Sequence, residues 1–285
     1  MKEILGFVIL HYKAGDITKK CIDKLLAQVT DVQYHIIVVD NFSNNGSFEE
    51  LKRDYSNNGK VYFNGLNNNY GFAKANDVGY LIAKYKFNCT CIVVMNNDII
   101  INDADFCKKI ISINNKYSYD ILGPDIVSSD GIHQNPNDLV IRTKLEVKKR
   151  LLILYLTKML MPTYNLFRKK SKKKRINPYI STVAYQQPLH GACIIFSKNY
   201  IDRHDLPFYP DTFLYIEEEI LYYNAIKEKL KILYNPTIVV HHLEDASTNK
   251  IVSTRKEKRE FEINNSIRSL RIFLEIMGNN MNRRT

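Results

Sequence analysis

The chain has 285 residues, of which 45% are hydrophobic and 25% are charged, and it carries a formal net charge of +11. These proportions are typical of a soluble globular protein, and the length is sufficient to bury a large core in one or two domains. No run of residues reaches the roughly 18 to 20 apolar residues that a membrane-spanning helix needs.

The five cysteines are odd in number and lie in apolar runs, which predicts buried free thiols and a reducing compartment. Cys89 and Cys91 are too close together for a zinc knuckle, and the sequence has no second such pair. The apolar stretch near the N-terminus is short, and no small-residue cleavage site follows it. We therefore expect a cytoplasmic protein, held peripherally on the inner face of the cell membrane if it binds a membrane.

Strand-like and helix-like segments alternate through the first 127 residues. The segments that predict strands are residues 4–12, 34–40, 60–64, 89–96 and 119–127. The first is a nearly continuous apolar run, as expected of a strand that is covered on both faces. This alternation predicts an α/β fold with a mainly parallel, doubly wound sheet and helices on both faces.

Capping residues and apolar periodicity indicate where several helices begin. Asp16 is the predicted N-cap of the first helix, and Ser47 with Glu50 has the spacing of a capping box at the start of the second. In the second half of the chain, a helix is predicted around residues 216–230. Residues 254–277 have the pattern of a charged amphipathic helix.

All of the excess charge lies in one segment. Between Lys144 and Arg175 there are twelve Lys and Arg residues and a single acid, Glu146. The cationic clusters alternate with apolar runs, which predicts an interfacial helix that meets an anionic membrane surface through residues 144–175. A solvated loop and a nucleic-acid site are the alternatives, and the sparse aromatics and the lack of a nucleic-acid-binding motif disfavour nucleic acid.

Two predicted strands lead into acids. Asp40 closes the second strand and Asp98 follows the fourth, and ligands of parallel sheets bind beyond these carboxyl ends. A strand-end acid is costly to desolvate without a partner, so we expect ligand contacts at Asp40 and Asn41, such as the N3–H of a pyrimidine base. Asp98, beside Asn96 and Asn97, offers hard oxygen ligands to Mg²⁺ or Mn²⁺. Because one carboxylate is a poor cage, such a metal would share its shell with a ligand's phosphates.

Three further segments could carry chemistry. Gly71 precedes a helix that begins near Phe72, whose backbone N–H groups could face a phosphate, although a simple loop and cap fits as well. The acids Glu217–Glu219 open a helix after an apolar run, so they are either solvated first-turn acids or the source of a general base. His241 and His242 follow a strand and point to opposite faces, so at most one of them is a ligand.

Six segments occur together and in one order: "VVDNFSNNGS", "NNNYGFAKANDVGY", "VVMNNDI", "HGACIIF", "YPDTFLYIEEEI" and "VVHHLEDAS". This series resembles the inverting family 2 glycosyltransferases with the GT-A fold, especially the rhamnosyltransferase-like branch of bacterial polysaccharide synthesis. The resemblance implies a catalytic domain over residues 1–250 and a helical tail over 251–285. Within that domain it implies a nucleotide-binding half (1–127), the basic amphipathic insert (140–178) and a half that supplies the acceptor site and base (179–250).

The resemblance also places the nucleotide-sugar donor. Asp40 matches the acid that binds the base of the nucleotide, and "NND" replaces the family's DxD motif, which puts the metal-binding carboxylate at Asp98. His242, or else His241, matches a histidine that approaches the diphosphate or the metal. The residues expected to bind the donor are Tyr12, Asp40, Asn41, Gly71, Phe72, Ala73, Asn76 and Asn97.

The family's acidic motif falls on the glutamates of residues 217–219. Glu218 matches the position of the catalytic base, with Glu217 as the alternative. Two features depart from the family: Ile220 stands where a second Asp is usual, and Glu218 is one methylene longer than the common Asp.

The expected activity follows from these matches. It is metal-dependent transfer, with inversion, of a sugar from a nucleoside diphosphate, with UDP or dTDP favoured, to a hydroxyl of a glycan or lipid-linked oligosaccharide. A sugar-nucleotide pyrophosphorylase is the second possibility, but it needs a GxGTR-like signature that "LHYKAGD" does not supply. A non-catalytic nucleic-acid-binding module is the third.

Overall fold

The computed structural model of the protein describes residues 3–137, 143–161, 179–243 and 254–279. The elements, in chain order, are β1 (Ile4–His11), α1 (Gly15–Leu26), β2 (Gln33–Asp40), α2 (Ser47–Asp54), β3 (Val61–Gly65), α3 (Phe72–Leu81), a π-helical segment (Ile82–Lys86), β4 (Cys91–Asn96), β5 (Ile99–Ile100), α4 (Phe106–Lys116), β6 (Ile121–Ser128), α5 (Lys144–Met159), β7 (Ala184–Tyr185), β8 (Cys193–Phe196), α6 (Lys198–Arg203), α7 (Glu217–Lys227), β9 (Ile232–His242) and α8 (Arg255–Asn279).

The strands of the described residues form one sheet in the order β3-β2-β1-β4-β8-β6-β9-β5, with β7 on β9. The parallel pairings are the long ones and join five to eight residues each. The antiparallel pairings join two to four residues each, and β8 forms two of them between β4 and β6. The predicted α/β fold with a mainly parallel sheet is therefore confirmed, and antiparallel pairing is confined to the second half of the sheet.

Strand β1 lies inside the sheet and is covered on both faces, which explains its continuous apolar sequence. Leu5, Phe7 and Ile9 pack into a cluster with apolar residues of α1 and α4. Val8, on the opposite face, packs with residues of α3. The alternation follows from the period of two along a strand, and it fixes the sheet between two helical layers.

A third apolar cluster joins α5, α7 and α8. It contains Val147 and Leu151 of α5, Ile220 of α7, and Leu270 and Phe273 of α8. Helix α5 supplies the described part of the predicted basic insert, and α8 matches the helix predicted for the tail. The rest of the insert, over residues 162–178, lies outside the described residues. Helices α5 and α8 pack against each other and against α7.

Both capping predictions are wrong. Helix α1 begins at Gly15 with Ala14 as its N-cap, so Asp16 lies inside the first turn. Helix α2 begins at Ser47 with Gly46, in a left-handed conformation, as its N-cap. The Ser47 hydroxyl instead donates to Oδ1 of Asn45 at 2.6 Å. Serine and asparagine side chains often make such local bonds, and here the bond to Asn45 occupies the Ser47 hydroxyl.

All five cysteines are free and buried, as the sequence predicts. Burial raises the pKa of the thiols of Cys89, Cys91, Cys107 and Cys193 to about 12. In the described part of the chain, no helix is long and apolar enough to cross a membrane.

Candidate active site

Three strand ends lie side by side at one edge of the sheet. β1 lies between β2 and β4, so His11 pairs with Asp40 on one side and Leu10 pairs with Asn96 on the other. Five of the ten residues expected to bind a donor or a metal lie at or just after these strand ends: Tyr12, Asp40, Asn41, Asn97 and Asp98. This edge, where the carboxyl ends of parallel strands meet, is the candidate active site.

Asp40 is buried at this edge, with its residue 6% exposed. The hydroxyl and the backbone N–H of Ser43 both donate to its carboxylate, and Nε2 of His11 lies 4.0 Å away. Burial raises the pKa of Asp40, while the bonds from Ser43 oppose that rise. Tyr12, which follows His11 directly in sequence, is half-buried. Asp40 is thus held in one orientation by its own loop.

Asn97 belongs to a buried polar network instead of the open crevice. Its Nδ2 donates to Oγ1 of Thr18 at 2.9 Å, and Oγ1 in turn lies 2.7 Å from Nδ1 of His11. The other ring nitrogen of His11 lies 2.9 Å from the hydroxyl of Ser47. The network ties the turn after β4 to α1 and α2, and it gives Asn97 a structural contact that the sequence did not predict.

Asn41 fixes the loop that leads to α3. Its Nδ2 donates to Oδ1 of Asn69 at 2.9 Å and to the carbonyl of Gly71 at 3.2 Å, while its Oδ1 accepts from the N–H of Tyr70. Gly71 has a φ of 84°, and a Cβ there would lie 2.3 Å from the carbonyl oxygen of Phe213. Glycine is therefore required at this close approach of two backbones.

The backbone N–H groups expected to face a phosphate are already bonded within the protein. The N–H of Phe72 donates to the carbonyl of Phe213 at 2.6 Å, and the N–H of Gly71 donates to Oδ1 of Asn69 at 3.0 Å. The expectation that these two groups are presented to a ligand is wrong for this conformation. The bond from Phe72 holds the start of α3 against the loop that precedes α7, and the bond from Gly71 closes its own loop.

Two other residues of α3 also face inward. Ala73 is fully buried, and Nδ2 of Asn76 donates to the carbonyl of Phe72 at 3.0 Å. Oδ1 of Asn76 is buried and has no hydrogen-bond partner within the part of the chain that the structure describes. An unpaired buried acceptor is costly, so Oδ1 of Asn76, an atom of the predicted donor site, still needs a partner.

Asp98 and His242 come together because β5 pairs with β9. Ile99 lies opposite His242 in this two-residue pairing, and Nε2 of His242 lies 3.3 Å from Oδ1 of Asp98. Oδ1 of Asp98 is buried without a hydrogen-bond partner among the described residues. His241 pairs with Ile100, and it is His242 that faces the carboxylate.

The tautomer of His242 follows from its other contact. Nδ1 lies 2.8 Å from Oε1 of Gln134, and an amide oxygen can only accept, so Nδ1 carries a proton. In the neutral ring, Nε2 then carries no proton, and its lone pair faces the Asp98 carboxylate. Two electron-pair donors this close require a shared cation, either a proton or a metal ion. A ring nitrogen held by an outer hydrogen bond is the usual arrangement of a metal-binding histidine.

The pair also fits the size of a small divalent cation. Adjacent ligands of an octahedral Mg²⁺ ion, each at roughly 2.1 Å, stand about 3 Å apart. Among the described residues, no group of three or more His, Cys, Asp or Glu side chains could hold a metal. Two protein ligands therefore leave most of the coordination shell to another molecule, as the sequence predicts for Asp98.

The three glutamates lie in the first turn of α7. Glu217 and Glu219 are buried, whereas Glu218 is partly exposed. Oε2 of Glu218 lies 3.4 Å from the position that a Cβ would take at Gly191. Burial raises the pKa of all three carboxyl groups, to about 8 for Glu217 and about 7 for Glu219. Of the two candidate bases, Glu218 is the one that an acceptor can reach from solvent.

His190 completes the link between these groups, and the sequence did not single it out. Its ring packs edge-on against His242, with 5.7 Å between the ring centres. The N–H of Ala192 donates to Nδ1 of His190 at 3.1 Å, and burial lowers the pKa of His190 to about 4, so the neutral ring carries its proton on Nε2. In the sequence, His190 stands directly before the small residues of "HGAC", and that position was the signal from which it could have been identified.

The turn of residues 190–192 holds both halves of the site. The carbonyl of Ala192 accepts from the N–H of Asn96 at 2.9 Å, and Oδ1 of Asn135 accepts from the N–H of His190 at 2.6 Å. Contacts therefore run from Asp98 through His242 and His190 to the turn beside Glu218. A chain of contacts thus links the predicted metal ligands to the turn beside the predicted base.

The buried carboxyl of Glu217 makes the stability of the fold depend on pH. Its pKa of about 8 lies above the ordinary value of about 4.3, so folding favours the protonated form. The resulting stabilisation is complete below the unfolded value and is lost as the pH rises through the folded one. From about pH 6 to about pH 9, we expect wild type to lose about 2 kcal/mol more unfolding free energy than Glu217→Gln.

Urea denaturation at both pH values measures this difference. Glu50→Gln is the control, because the side chain of Glu50 is exposed. An equal pH dependence in wild type and Glu217→Gln would show that Glu217 is ionised in the folded protein.

Three solved structures with a similar fold contain a nucleotide or a nucleotide sugar. TarS from S. aureus, residues 1–349 in complex with UDP-GlcNAc, is 13% identical with a TM-score of 0.56, over 86% of this chain and 59% of that one. The mannosyltransferase PcManGT from Pyrobaculum calidifontis, in complex with GDP-Man and Mn²⁺, is 10% identical with a TM-score of 0.53, over 85% and 57%. GalNAc-T7 with UDP, GalNAc and Mn²⁺ is 15% identical with a TM-score of 0.58, over 84% and 43%.

At these identities the likeness shows the fold, which is the expected GT-A fold, and the chain spans less than two thirds of each of these three proteins. No curated protein matches the sequence. The sequence does match glycosyl transferase family 2 over residues 7–175, a range that runs from β1 to beyond α5 and ends before Glu217. The chain therefore belongs to glycosyl transferase family 2.

Proposed function

We propose that the protein transfers a sugar from a nucleoside diphosphate to a hydroxyl of an acceptor. The observation that carries this proposal is the convergence of the Asp98–His242 pair and Glu218 on the turn of residues 190–192. Family membership favours this activity over a pyrophosphorylase or a nucleic-acid-binding module. TarS with UDP-GlcNAc and PcManGT with GDP-Man support a nucleotide-sugar donor.

The proposed donor is a UDP- or dTDP-sugar. Asp40, oriented by Ser43, retains carboxylate lone pairs that can accept the N3–H of uracil or thymine, and Tyr12 is the residue proposed to line the base with it. Its buried position strengthens such a bond, because the carboxylate has little water to compete for it. The proposed donor site extends from here past Asn41 and Asn76 towards Asp98.

The proposed cofactor is Mg²⁺ or Mn²⁺, held by Asp98 and His242. When bound, the metal neutralises negative charge on the diphosphate as it departs. Gln134 keeps the Nε2 lone pair of His242 directed at Asp98, and the neutral His190 adds no positive charge beside it. The structures of PcManGT and GalNAc-T7 with Mn²⁺ agree with this assignment.

Glu218 is the proposed general base. Burial raises its pKa above the ordinary range, which brings it closer to neutral pH and makes it a stronger proton acceptor. It takes the proton from the acceptor hydroxyl, whose oxygen attacks the anomeric carbon from the face opposite the diphosphate. A single displacement of this kind inverts the configuration, through an oxocarbenium-like transition state.

Helix α5 is the proposed contact with an anionic membrane, where a lipid-linked glycan acceptor would be found. One side of α5 packs on α8 through Val147 and Leu151. The other side exposes apolar side chains, and the exposed lysines of the same helix can meet lipid headgroups. The exposed apolar residues of this helix and its end are Leu145, Leu152, Ile153, Tyr155, Leu156, Met159 and Leu160. We propose that the enzyme lies on the inner face of the cell membrane and acts in bacterial surface polysaccharide synthesis.

Removing the metal-binding carboxylate should abolish metal-dependent donor binding. In Asp98→Ala, we expect Mn²⁺ to give no gain in nucleotide-sugar affinity, because His242 alone is a weak site. Thermal shifts with a panel of UDP-, dTDP-, GDP- and CMP-sugars, with and without Mn²⁺, measure this. Asn96→Ala is the matched control, since the main-chain N–H of Asn96 makes its contact with Ala192. A full Mn²⁺ effect in Asp98→Ala would exclude Asp98 as the ligand.

Glu218→Gln should abolish transfer, with a fall of at least about 100-fold in kcat, because the amide cannot accept the proton. Donor affinity should stay within about twofold, since Glu218 lies on the acceptor side of the site. Turnover is measured as UDP release, and donor affinity by calorimetry. Full activity in Glu218→Gln would remove Glu218 from this role and return it to Glu217.

The protein should sediment with phosphatidylglycerol vesicles at low salt and much less with phosphatidylcholine vesicles. Ile153→Ser should weaken binding several-fold, because it removes one apolar side chain from the lipid boundary. Val29→Ser is the matched control: Val29 and Ile153 are both 61% exposed, but Val29 lies outside α5. If wild type stays in the supernatant with phosphatidylglycerol, the membrane proposal is wrong.

A further inference from the structure

The first turn of α7 crowds three carboxyl groups together where water is scarce. Glu217 and Glu219 are buried, and each has one carboxylate oxygen without a hydrogen-bond partner among the described residues. Glu218 lies between them in sequence and is the proposed base. Like charges this close repel each other, and the helix N-terminus offsets only part of that repulsion. A cation beside the turn relieves the repulsion between those carboxyl groups that are ionised.

Arg150 of α5 supplies that cation. Its Nη1 donates to Oε1 of Glu219 at 2.6 Å, a contact between residues 69 positions apart. The side chain of Glu219 is 7% exposed and that of Arg150 is 36% exposed, so the carboxylate end of the pair is shielded from water. A charge-assisted bond in such a place is stronger than an exposed ion pair.

The backbone that leads into α7 is also strained. Tyr215 and Ile216 both have positive φ, 70° and 75°, which is unfavourable for a bulky or β-branched residue. Ile216 is 2% exposed and belongs to the same apolar cluster as Val147 and Leu151 of α5. Helix α5 therefore packs on the strained segment and bonds to the turn that follows it.

We propose that Arg150 is a positioning residue of the active site, which pairs with Glu219 and thereby fixes the orientation of Glu218. The inference rests on the proposed role of Glu218 as the base. It makes the helix of the basic insert part of the transfer machinery, in addition to any contact with lipid. Donor binding does not need Arg150, because the proposed donor and metal residues lie on β1, β2, α3 and β9 and in the turns beside them.

The test compares Arg150→Met with Arg150→Lys. We expect Arg150→Met to lower kcat at least tenfold while the affinity for UDP with Mn²⁺ stays within twofold. Arg150→Lys keeps the charge and should recover part of the loss. Arg53→Met is the matched control and should act as wild type, because Arg53 is an exposed arginine of α2, outside the proposed donor, metal and membrane contacts. Turnover is measured as UDP release from whichever of UDP-GlcNAc, UDP-glucose and UDP-galactose the wild type turns over fastest.

The double variant Arg150→Met with Glu219→Gln separates charge from packing. If Arg150 acts by pairing with Glu219, removing both charges should restore turnover above that of Arg150→Met alone. Hydrogen exchange of the amides of residues 215–220 gives a readout that needs no substrate: we expect at least tenfold faster exchange in Arg150→Met and slow exchange in Arg150→Lys.

Wild-type turnover and unchanged exchange in Arg150→Met would overturn the proposal. So would a double variant that is no better than Arg150→Met. If Arg150→Met does not fold, the Lys variant and the double variant decide in the same way. Failure of the proposed base has a different signature, because Glu218→Gln would then remain active whatever Arg150 does. Failure of the proposed function is different again: the wild type would release no UDP from any of these donors, while hydrogen exchange would still test the pairing of Arg150.

Discussion

The two-residue pairing of β5 with β9 is the constraint on which the candidate site depends. Without it, Asp98 would end a turn after β4, and His242 would end a strand more than 140 residues later in the chain. The pairing places Ile99 opposite His242 and thereby brings a carboxylate oxygen and an imidazole nitrogen within 3.3 Å. The register fixes the two backbones relative to each other, so only the rotamers of the two side chains remain to be set.

The remaining parts of the site are held mainly by bonds to the backbone. Asn41 fixes the loop before α3, Asn135 fixes His190, and the carbonyl of Phe213 receives the first N–H of α3. Loops so bonded are pre-organised, which reduces the entropy lost when a ligand binds. The proposed metal is the exception: with two protein ligands in the described residues, its shell depends on the donor's own phosphates, so metal and donor are expected to bind together.

The sequence predicts the features that depend on local periodicity, and misses those that depend on distant contacts. Alternating strands and helices, buried thiols and the strand-end acids Asp40 and Asp98 were all readable from short windows. The N-cap prediction for α2 failed because Gly46 adopts a left-handed conformation that places Ser47 inside its helix, and that for α1 failed because the helix begins at Gly15, one residue before Asp16. The pairing of Arg150 with Glu219 was hidden because a run of twelve cations gives no sign that one of them faces inward. His190 was missed because a single histidine before a strand is usually structural.

The buried cysteines have a consequence for following the motions of this enzyme. The thiolate is the form that reacts with alkylating reagents, and the raised pKa values keep it scarce at neutral pH while the protein is folded. Cys91 and Cys193 lie on the neighbouring strands β4 and β8, whereas Cys107 lies on α4. The rate at which each thiol is alkylated therefore reports how often its own region opens. Alkylation rates of these thiols therefore measure separately how often the centre of the sheet opens and how often one of the helices that cover it opens.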